Sequence, residues 1–182
     1  LGFAVNSLTS NRNLVTKIYF PREVFPVSAV LTQAVDTAIG ATSLLVVLFL
    51  VMGVEVSVAI LWTIPLTVVL VVLTTMASLL ASAANLFFRD VKYLVQIILT
   101  FGIFFTPVFY DPALFGANGA RLMMLNPIAH ILEGFRLSVI EAHDLSTVLK
   151  VTNEQGVEIL AWTPYDLLYS TLWAIPGCLA AW

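Results

Sequence analysis

Few of the 182 residues are of types that do chemistry in enzymes. Lys and Arg number 8, Asp and Glu 11 and His only 2, whereas hydrophobic residues make up 60%. The sequence has no Gly-x-x-x-x-Gly-Lys-Ser/Thr loop to cradle a nucleotide phosphate and no recognisable set of nucleophile and base. We therefore predict that the chain is not an enzyme and binds no cofactor.

Residues that could bind metal or nucleic acid are equally sparse. Glu141, His143 and Asp144 have metal-binding side chains at close spacing, but a solvated loop explains them better, so we predict no metal site. Cys178 is the only cysteine and cannot form an internal disulfide. The net charge of -3 and the scattered basic residues argue against a nucleic acid partner.

Asp36 is an acidic residue inside a long apolar run. It lies nine residues into that run, where an ionised carboxylate facing lipid would cost a few kcal/mol. We therefore expect it to face protein or water, beside the polar Gln33 and Thr37. A buried hydrogen bond between helices and a position in a translocation pathway are both compatible with this expectation.

Three long apolar runs form the framework on which the residues discussed above are placed. They cover residues 27–52, 57–85 and 93–110 and contain almost no charge. At about 1.5 Å per residue, they approach or exceed the roughly 30 Å thickness of the bilayer core. Their length and lack of a period of two predict helices and exclude membrane strands. We predict an all-α, polytopic membrane helix bundle in which residues 1–182 form part of a single transmembrane domain.

Charges in the connecting segments predict the orientation of the helices. Segments 10–26 and 86–92 are basic, whereas segment 111–164 is mainly acidic. Because cytoplasmic loops are enriched in Lys and Arg, the two basic segments are predicted to be cytoplasmic and the acidic segment external. Residues 1–9 would then be the end of an earlier span, and residues 165–182 the start of a last one. The chain is interpreted as a fragment that is cut within a helix at one or both ends.

The cytoplasmic segment 10–26 is predicted to contain a short amphipathic helix. Asn11 or Asn13 caps it, Leu14 and Ile18 supply an apolar stripe, and Pro21 ends it. Such a helix could rest on lipid headgroups or fit a cleft in a soluble partner.

The external segment 111–164 is predicted to contain helices too short to cross the membrane. Pro107 interrupts the span before it, and Asn126 with Pro127 is a typical capped helix start. The apolar stripe of that helix is expected to contain Ile128, Ile131, Leu132 and Phe135. Glu133 and Arg136 are spaced so that they can form an ion pair on one helix.

Aromatic residues cluster where the third run meets this external segment. They are Phe104, Phe105, Phe109, Tyr110 and Phe115. Sugar rings could stack on these side chains, but an aromatic belt at the membrane interface explains the same residues.

Four sequence motifs, in order and at matching spacing, resemble the permease subunits of type-2 ABC exporters for polysaccharides. Residues 13–22 read NLVTKIYFPR, residues 87–91 FFRDV, residues 105–110 FTPVFY, and residues 125–128 LNPI, the last followed by Phe135 and Arg136. This family includes exporters of O-antigen, capsule and teichoic acid, and the resemblance extends over nearly the whole chain.

The resemblance implies a six-span permease that forms a homodimer and pairs with two ATPase subunits, which bind the ATP. It implies external re-entrant helices between the fifth and sixth spans, in the cytoplasmic (inner) membrane of a bacterium. Residues implied in coupling to the ATPase are Asn13, Leu14, Lys17, Phe20, Arg22, Arg89 and Asp90. We assign Asp36, Phe104, Phe105, Phe109 and Tyr110 to the translocation pathway, and Pro21, Pro107, Asn126, Pro127 and Arg136 to structural motifs.

The resulting prediction is a transport subunit that exports polysaccharide or lipid-linked glycan with energy from a separate ATPase. A type-2 ABC permease for drugs or small lipids would have the same architecture. A channel or a structural membrane subunit outside the ABC class is a second alternative.

Overall fold

The computed structural model describes residues 1–10, 23–51, 53, 57–106, 119, 122–152 and 158–180. Its elements in chain order are α1 (Gly2–Ser10), α2 (Val24–Val51), a 3₁₀ helix (Val58–Trp62), α3 (Thr63–Phe87), α4 (Val91–Phe105), α5 (Pro127–Val139), β1 (Leu149–Thr152), β2 (Glu158–Trp162) and α6 (Pro164–Ala180). The predominance of helices confirms the predicted all-α fold class.

Two helical stretches in the described part of the chain are long and apolar enough to cross a membrane. They are α2, with 28 residues, and the 30-residue stretch Val58–Phe87, in which the 3₁₀ helix leads directly into α3. Pro65 lies in the first turn of α3, where its missing N–H breaks no helical hydrogen bond. The third apolar run forms the shorter α4, and residues 107–110 at its predicted end lie outside the described residues.

The chain divides into two compact units. The first contains Leu1–Met52, Val71–Thr100 and Ala174–Trp182, and the second contains Gly53–Leu70 and Phe101–Trp173. Each unit is therefore built from segments that are distant in the sequence.

In the first unit, α1 packs against α2 and is tied to α3 by a polar contact. Asn85 Nδ2 of α3 donates a hydrogen bond of 3.1 Å to the carbonyl oxygen of Val5 in α1. Ser78, Ser82 and Asn85 lie on one face of α3 and are all buried. Small side chains on a buried helix face permit close approach of a neighbouring helix, and a side-chain amide then adds a hydrogen bond between the helices.

In the second unit, α5 packs its buried face against the 3₁₀ helix and the start of α3. Gly134 lies at the closest point, since a Cβ there would come within 3.0 Å of Leu66 Cδ2 and 3.2 Å of Trp162 Cη2. The absence of a side chain at position 134 allows α5 to lie directly on these two residues.

The buried face of α5 differs from the predicted apolar stripe. Of the four residues expected in that stripe, only Ile131 is buried, and Ile128 is 41% exposed. The residues buried in α5 are Ala129, His130, Ile131, Glu133, Gly134, Leu137 and Ser138. The stripe prediction was wrong because the inner face also carries polar side chains, of which His130 pairs with Asp166 of α6 and Glu133 with Arg136 of the same helix.

The later part of residues 111–164 also differs from the prediction. Residues 111–164 were expected to contain short helices and no strand was predicted there, but β1 and β2 form an antiparallel hairpin. Lys150 pairs with Leu160, and Thr152 pairs with Glu158, with an irregularity next to Leu149. The hairpin satisfies the backbone hydrogen bonds of two strands that have a high content of β-branched and apolar residues.

Candidate functional site

Many of the predicted site residues lie outside the described residues. These are Asn13, Leu14, Lys17, Phe20, Pro21 and Arg22 of the predicted coupling region, and Pro107, Phe109 and Tyr110. The remaining predicted site residues are Asp36, Arg89, Asp90, Phe104, Phe105, Asn126, Pro127 and Arg136.

Arg89 and Asp90 form a tight turn between α3 and α4. Phe88 N–H donates to Ala84 O at 2.8 Å, and Val91 N–H donates to Phe88 O at 3.1 Å, so the chain reverses within a few residues. Both charged side chains are exposed, and they form no ion pair with each other in the described structure. The turn therefore presents one positive and one negative group for contact with another molecule.

The same turn is bordered by exposed aromatic residues. Phe87 is 81% exposed and Phe88 is 71% exposed. Lys92 Nζ, one turn further on, lies 4.7 Å from the centroid of the Tyr93 ring, a cation–π contact that holds this cation beside its own helix. Arg89, the other cation of this turn, is exposed.

Asp36 lies close to the middle of α2 and is exposed. No described residue forms a hydrogen bond or an ion pair with its carboxylate. The neighbouring Thr37 directs its hydroxyl back to Gln33 O at 2.8 Å, which satisfies that hydroxyl within the helix. The carboxylate is consequently a charged group without a partner among the described residues, on a helix that is otherwise suited to lipid.

Phe104 and Phe105 end α4 and are 65% and 71% exposed. Thr106 follows them and is buried, and its Oγ1 donates to Gly102 O at 3.1 Å. This hydrogen bond to the preceding turn satisfies the hydroxyl at the helix end and leaves the two aromatic rings on the surface.

Asn126 and Pro127 begin α5 as the sequence predicts. Asn126 has extended backbone geometry, its side chain accepts a hydrogen bond of 3.1 Å from Ile128 N–H, and Pro127 occupies the first helical position. An Asn cap satisfies one of the free N–H groups at a helix start and stabilises the helix by about 1 kcal/mol.

Polar contacts fasten the start of α5 to the start of α6. Ser170 Oγ donates to Pro127 O at 3.2 Å, and Tyr169 Oη donates to Leu125 O at 3.0 Å. His130 Nε2 lies 3.3 Å from Asp166 Oδ1, and the His130 and Tyr169 rings are tilted with their centroids 5.2 Å apart. Three side chains of α6 thus hold the same end of α5.

Arg136 lies between two carboxylates at the far end of α5. Its Nη2 is 3.0 Å from Glu133 Oε1 and 3.4 Å from Glu141 Oε1. The Glu133 side chain is only 3% exposed, so the predicted Glu133–Arg136 pair is far less solvated than a surface pair. Arg136 supplies the positive charge that a buried carboxylate requires.

The loop after α5 is held by two tryptophans. Trp62 Nε1 donates to Asp144 Oδ1 at 2.8 Å, and the fully buried Trp162 donates from Nε1 to Leu145 O at 3.0 Å. The pKa of Asp144 is held below its usual value by the Ser146 backbone N–H, with further contributions from the Ser146 hydroxyl and the Trp62 indole. Each of these donors favours the ionised carboxylate.

Asp144 and His143 therefore have protein partners and are not arranged around a metal. His143 Nε2 lies 3.4 Å from Thr147 O. Within the residues that the structure describes, no group of three or more His, Cys, Asp or Glu side chains could hold a metal ion.

The sequence analysis missed His130, Asp166 and the buried position of Glu133. A signal for Asp166 was present, because Thr163, Pro164 and Asp166 follow the pattern of a capped helix start. The structure shows that Thr163 N–H donates to Asp166 Oδ2 at 2.8 Å. Nothing local to His130 indicated that a carboxylate from another helix would face it.

Comparisons with known proteins identify similar chains. A family model described as "ABC-2 type transporter" matches residues 3–140. The chain is 30% identical over 142 residues to an "O-antigen export system permease protein RfbA" of Myxococcus xanthus, a match that covers 75% of this chain and 53% of the relative. It is 31% identical over 137 residues to a protein of the same name from Klebsiella pneumoniae. That match covers 73% of this chain and 52% of the relative. The chain spans about half the length of the curated relatives it matches.

Proposed function

Because the chain belongs to the ABC-2 type transporter family, we propose that it forms part of the permease subunit of an ATP-driven exporter of polysaccharide or lipid-linked glycan. The observation that carries this proposal is the similarity to proteins named O-antigen export permeases over about three quarters of this chain. The chain is an integral membrane protein, as the family match and its two membrane-length apolar helices indicate. We place it in the cytoplasmic membrane of a bacterium as a multi-pass protein.

The partner that supplies the energy would be a separate ATPase subunit, and the permease would act as a homodimer. The exposed Arg89–Asp90 turn supports a docking contact, since it combines two opposite charges with the exposed rings of Phe87 and Phe88. Arg suits such a contact because its guanidinium can form two parallel hydrogen bonds with a carboxylate. The predicted coupling region at residues 10–26 would provide the second contact.

The pathway for the glycan would be lined in part by Asp36, Phe104 and Phe105. The physical support for Asp36 is its exposed carboxylate near the middle of a membrane-length helix, because such a group is stable only where water or protein replaces lipid. The exposed rings at the end of α4 offer flat apolar surfaces on which the C–H faces of sugar rings can stack.

The function is tested by deleting the full-length gene in the organism of origin. We expect surface polysaccharide to be lost and lipid-linked glycan to accumulate at the cytoplasmic face, with drug resistance unchanged. Normal surface polysaccharide together with lost drug efflux would contradict the proposal and favour a permease for small molecules.

The docking contact is tested in the same deletion strain with full-length variants. Arg89→Glu should reduce co-purification of the ATPase subunit by about tenfold, because a charge-assisted contact at an interface becomes repulsive. Lys92→Glu is the matched control, since Lys92 is bound over Tyr93 and should affect association much less. Equal losses in the two variants, or none in either, would exclude a specific role for Arg89.

A further inference from the structure

His130 is a buried titratable residue that the proposed transport function does not use. It lies in the first turn of α5, is 5% exposed, and faces α6. Its Nε2 lies 3.3 Å from Asp166 Oδ1, and its Nδ1 lies 3.3 Å from the carbonyl oxygen of Asn126. Each ring nitrogen therefore lies within hydrogen-bonding distance of an oxygen atom.

The two oxygen atoms determine which form of the ring fits. A carbonyl oxygen can only accept a hydrogen bond, and the same holds for an ionised carboxylate. Asp166 Oδ2 already accepts a hydrogen bond from Thr163 N–H at 2.8 Å, which favours the ionised form of Asp166. A neutral imidazole has one N–H and would direct its second nitrogen lone pair at an oxygen, whereas an imidazolium donates to both.

We propose that His130 and Asp166 are positioning residues that hold the start of α5 against α6 while His130 is protonated, so that the attachment of this short helix depends on pH. Loss of the ring proton would replace one of two buried hydrogen bonds with a contact between two lone pairs. The attachment itself does not depend on which substrate the protein carries. On the predicted topology, α5 is external, so the relevant pH is that of the medium.

Other groups around His130 do not account for such a dependence. From α6, the titratable groups are Asp166 and Tyr169, and on its own helix the charged groups are Glu133 and Arg136, which pair with each other. Histidine is the side chain that most often changes charge within the physiological pH range. The hydrogen bonds of Tyr169 to Leu125 O and of Ser170 to Pro127 O join the same segments without a histidine. Deprotonation should therefore loosen α5 without detaching it.

Hydrogen–deuterium exchange of the full-length protein in nanodiscs tests the proposal. After correction for intrinsic exchange chemistry, amides of residues 128–134 should exchange about tenfold faster at pH 8.5 than at pH 6, the scale expected for one charge-assisted hydrogen bond. His130→Asn should exchange at nearly the same rate at both pH values, because its amide does not titrate. Ser170→Ala is the matched control and should raise exchange by an equal factor at both values. Equal wild-type rates at the two pH values, or the same pH dependence in His130→Asn, would overturn the proposal.

Nitrogen NMR of imidazole-labelled histidine provides a second measurement that does not need His130→Asn to fold. His143→Gln, in an exposed loop, assigns the signals. We expect both nitrogens of His130 to carry a proton at pH 6 and one to lose it by pH 8.5. A ring that keeps one protonation state from pH 5.5 to 8.5 would exclude the proposed pH dependence.

Discussion

Helices α2 and α5 satisfy their polar groups in opposite ways. Helix α2 is about 42 Å long at helical rise, buries only Pro26 and Val30, and leaves the carboxylate of Asp36 exposed. Helix α5 is about 20 Å long, yet its charged residues Glu133 and Arg136 are paired within the same unit. Although α1 packs against α2, most of the α2 surface is exposed in the described structure, whereas the buried face of α5 contacts residues of its own unit.

The comparison shows that hydropathy and polar residues in a membrane protein sequence report on different surroundings. Long apolar helices such as α2 are adapted to a solvent of hydrocarbon, so their hydropathy describes what lies outside the chain. Short helices such as α5 are adapted to neighbouring protein, so their polar residues describe contacts inside the chain. Substitutions in α2 should therefore change its insertion into the membrane, whereas substitutions in the second unit, which contains α5, should change the stability of its fold.

The largest expected effect is on the folding of the unit around α5. Trp162→Ala should lower the free energy of unfolding by about 3–5 kcal/mol, because a fully buried indole that contacts the Gly134 region leaves a cavity. Unfolding of the full-length protein in detergent measures this loss. Trp173→Ala, at a residue that is 54% exposed, is the control and should cost less than about 1 kcal/mol. Similar losses in the two variants would show that burial does not govern this unit.

The second effect concerns insertion of α2. Asp36→Leu should make insertion of the isolated α2 segment more favourable by about 3 kcal/mol, since a central Asp is costly in lipid and Leu is favourable. A glycosylation assay of membrane insertion measures the change. Ser43→Leu, on the same helix, is the uncharged control and should change insertion less. If the two substitutions had equal effects, the carboxylate would not be the unfavourable group in α2.

The smallest effect concerns the Trp62–Asp144 contact. Because the pKa of Asp144 is depressed in the folded protein, the ionised carboxylate stabilises the fold above its ordinary pKa, and this stabilisation is lost as the pH falls through the lower folded value. Wild-type protein should therefore lose more thermal stability than Asp144→Asn between pH 5 and pH 3. The melting temperatures of the two proteins at both pH values measure this, and parallel declines would contradict the assigned role of the carboxylate.

Local features of the fold could be predicted from the sequence because their causes are local. The long apolar helices follow from hydropathy alone, and the start of α5 follows from Asn126 and Pro127, whose cap involves only the next two residues. The exposed turn at Arg89 and Asp90 follows from the interruption between two apolar runs. The roles of the site residues that depend on partners outside the chain remain predictions, because their causes are not local.

Long-range contacts could not be predicted from the sequence. His130 was not recognised as a site residue because its partner Asp166 comes from another helix. The pair of Glu133 with Arg136 on the same helix was predicted, but the burial of Glu133 was not. The hairpin was missed because its two strands are short and lie in a segment for which only short helices were predicted. A periodicity of hydrophobic residues cannot reveal a polar residue that is buried because its charge is balanced by a partner.

The tight winding of the 3₁₀ helix has a consequence for the loop after α5. With three residues per turn, Ala59 and Trp62 are aligned along its inner edge, whereas Val58 and Leu61 are aligned along the outer edge and are 79% and 60% exposed. An ordinary α-helical turn would rotate Trp62 by about 60° relative to Ala59. The indole reaches Asp144 from a tightly wound stretch of five residues, so the conformation of this short backbone stretch determines whether it remains joined to the loop after α5.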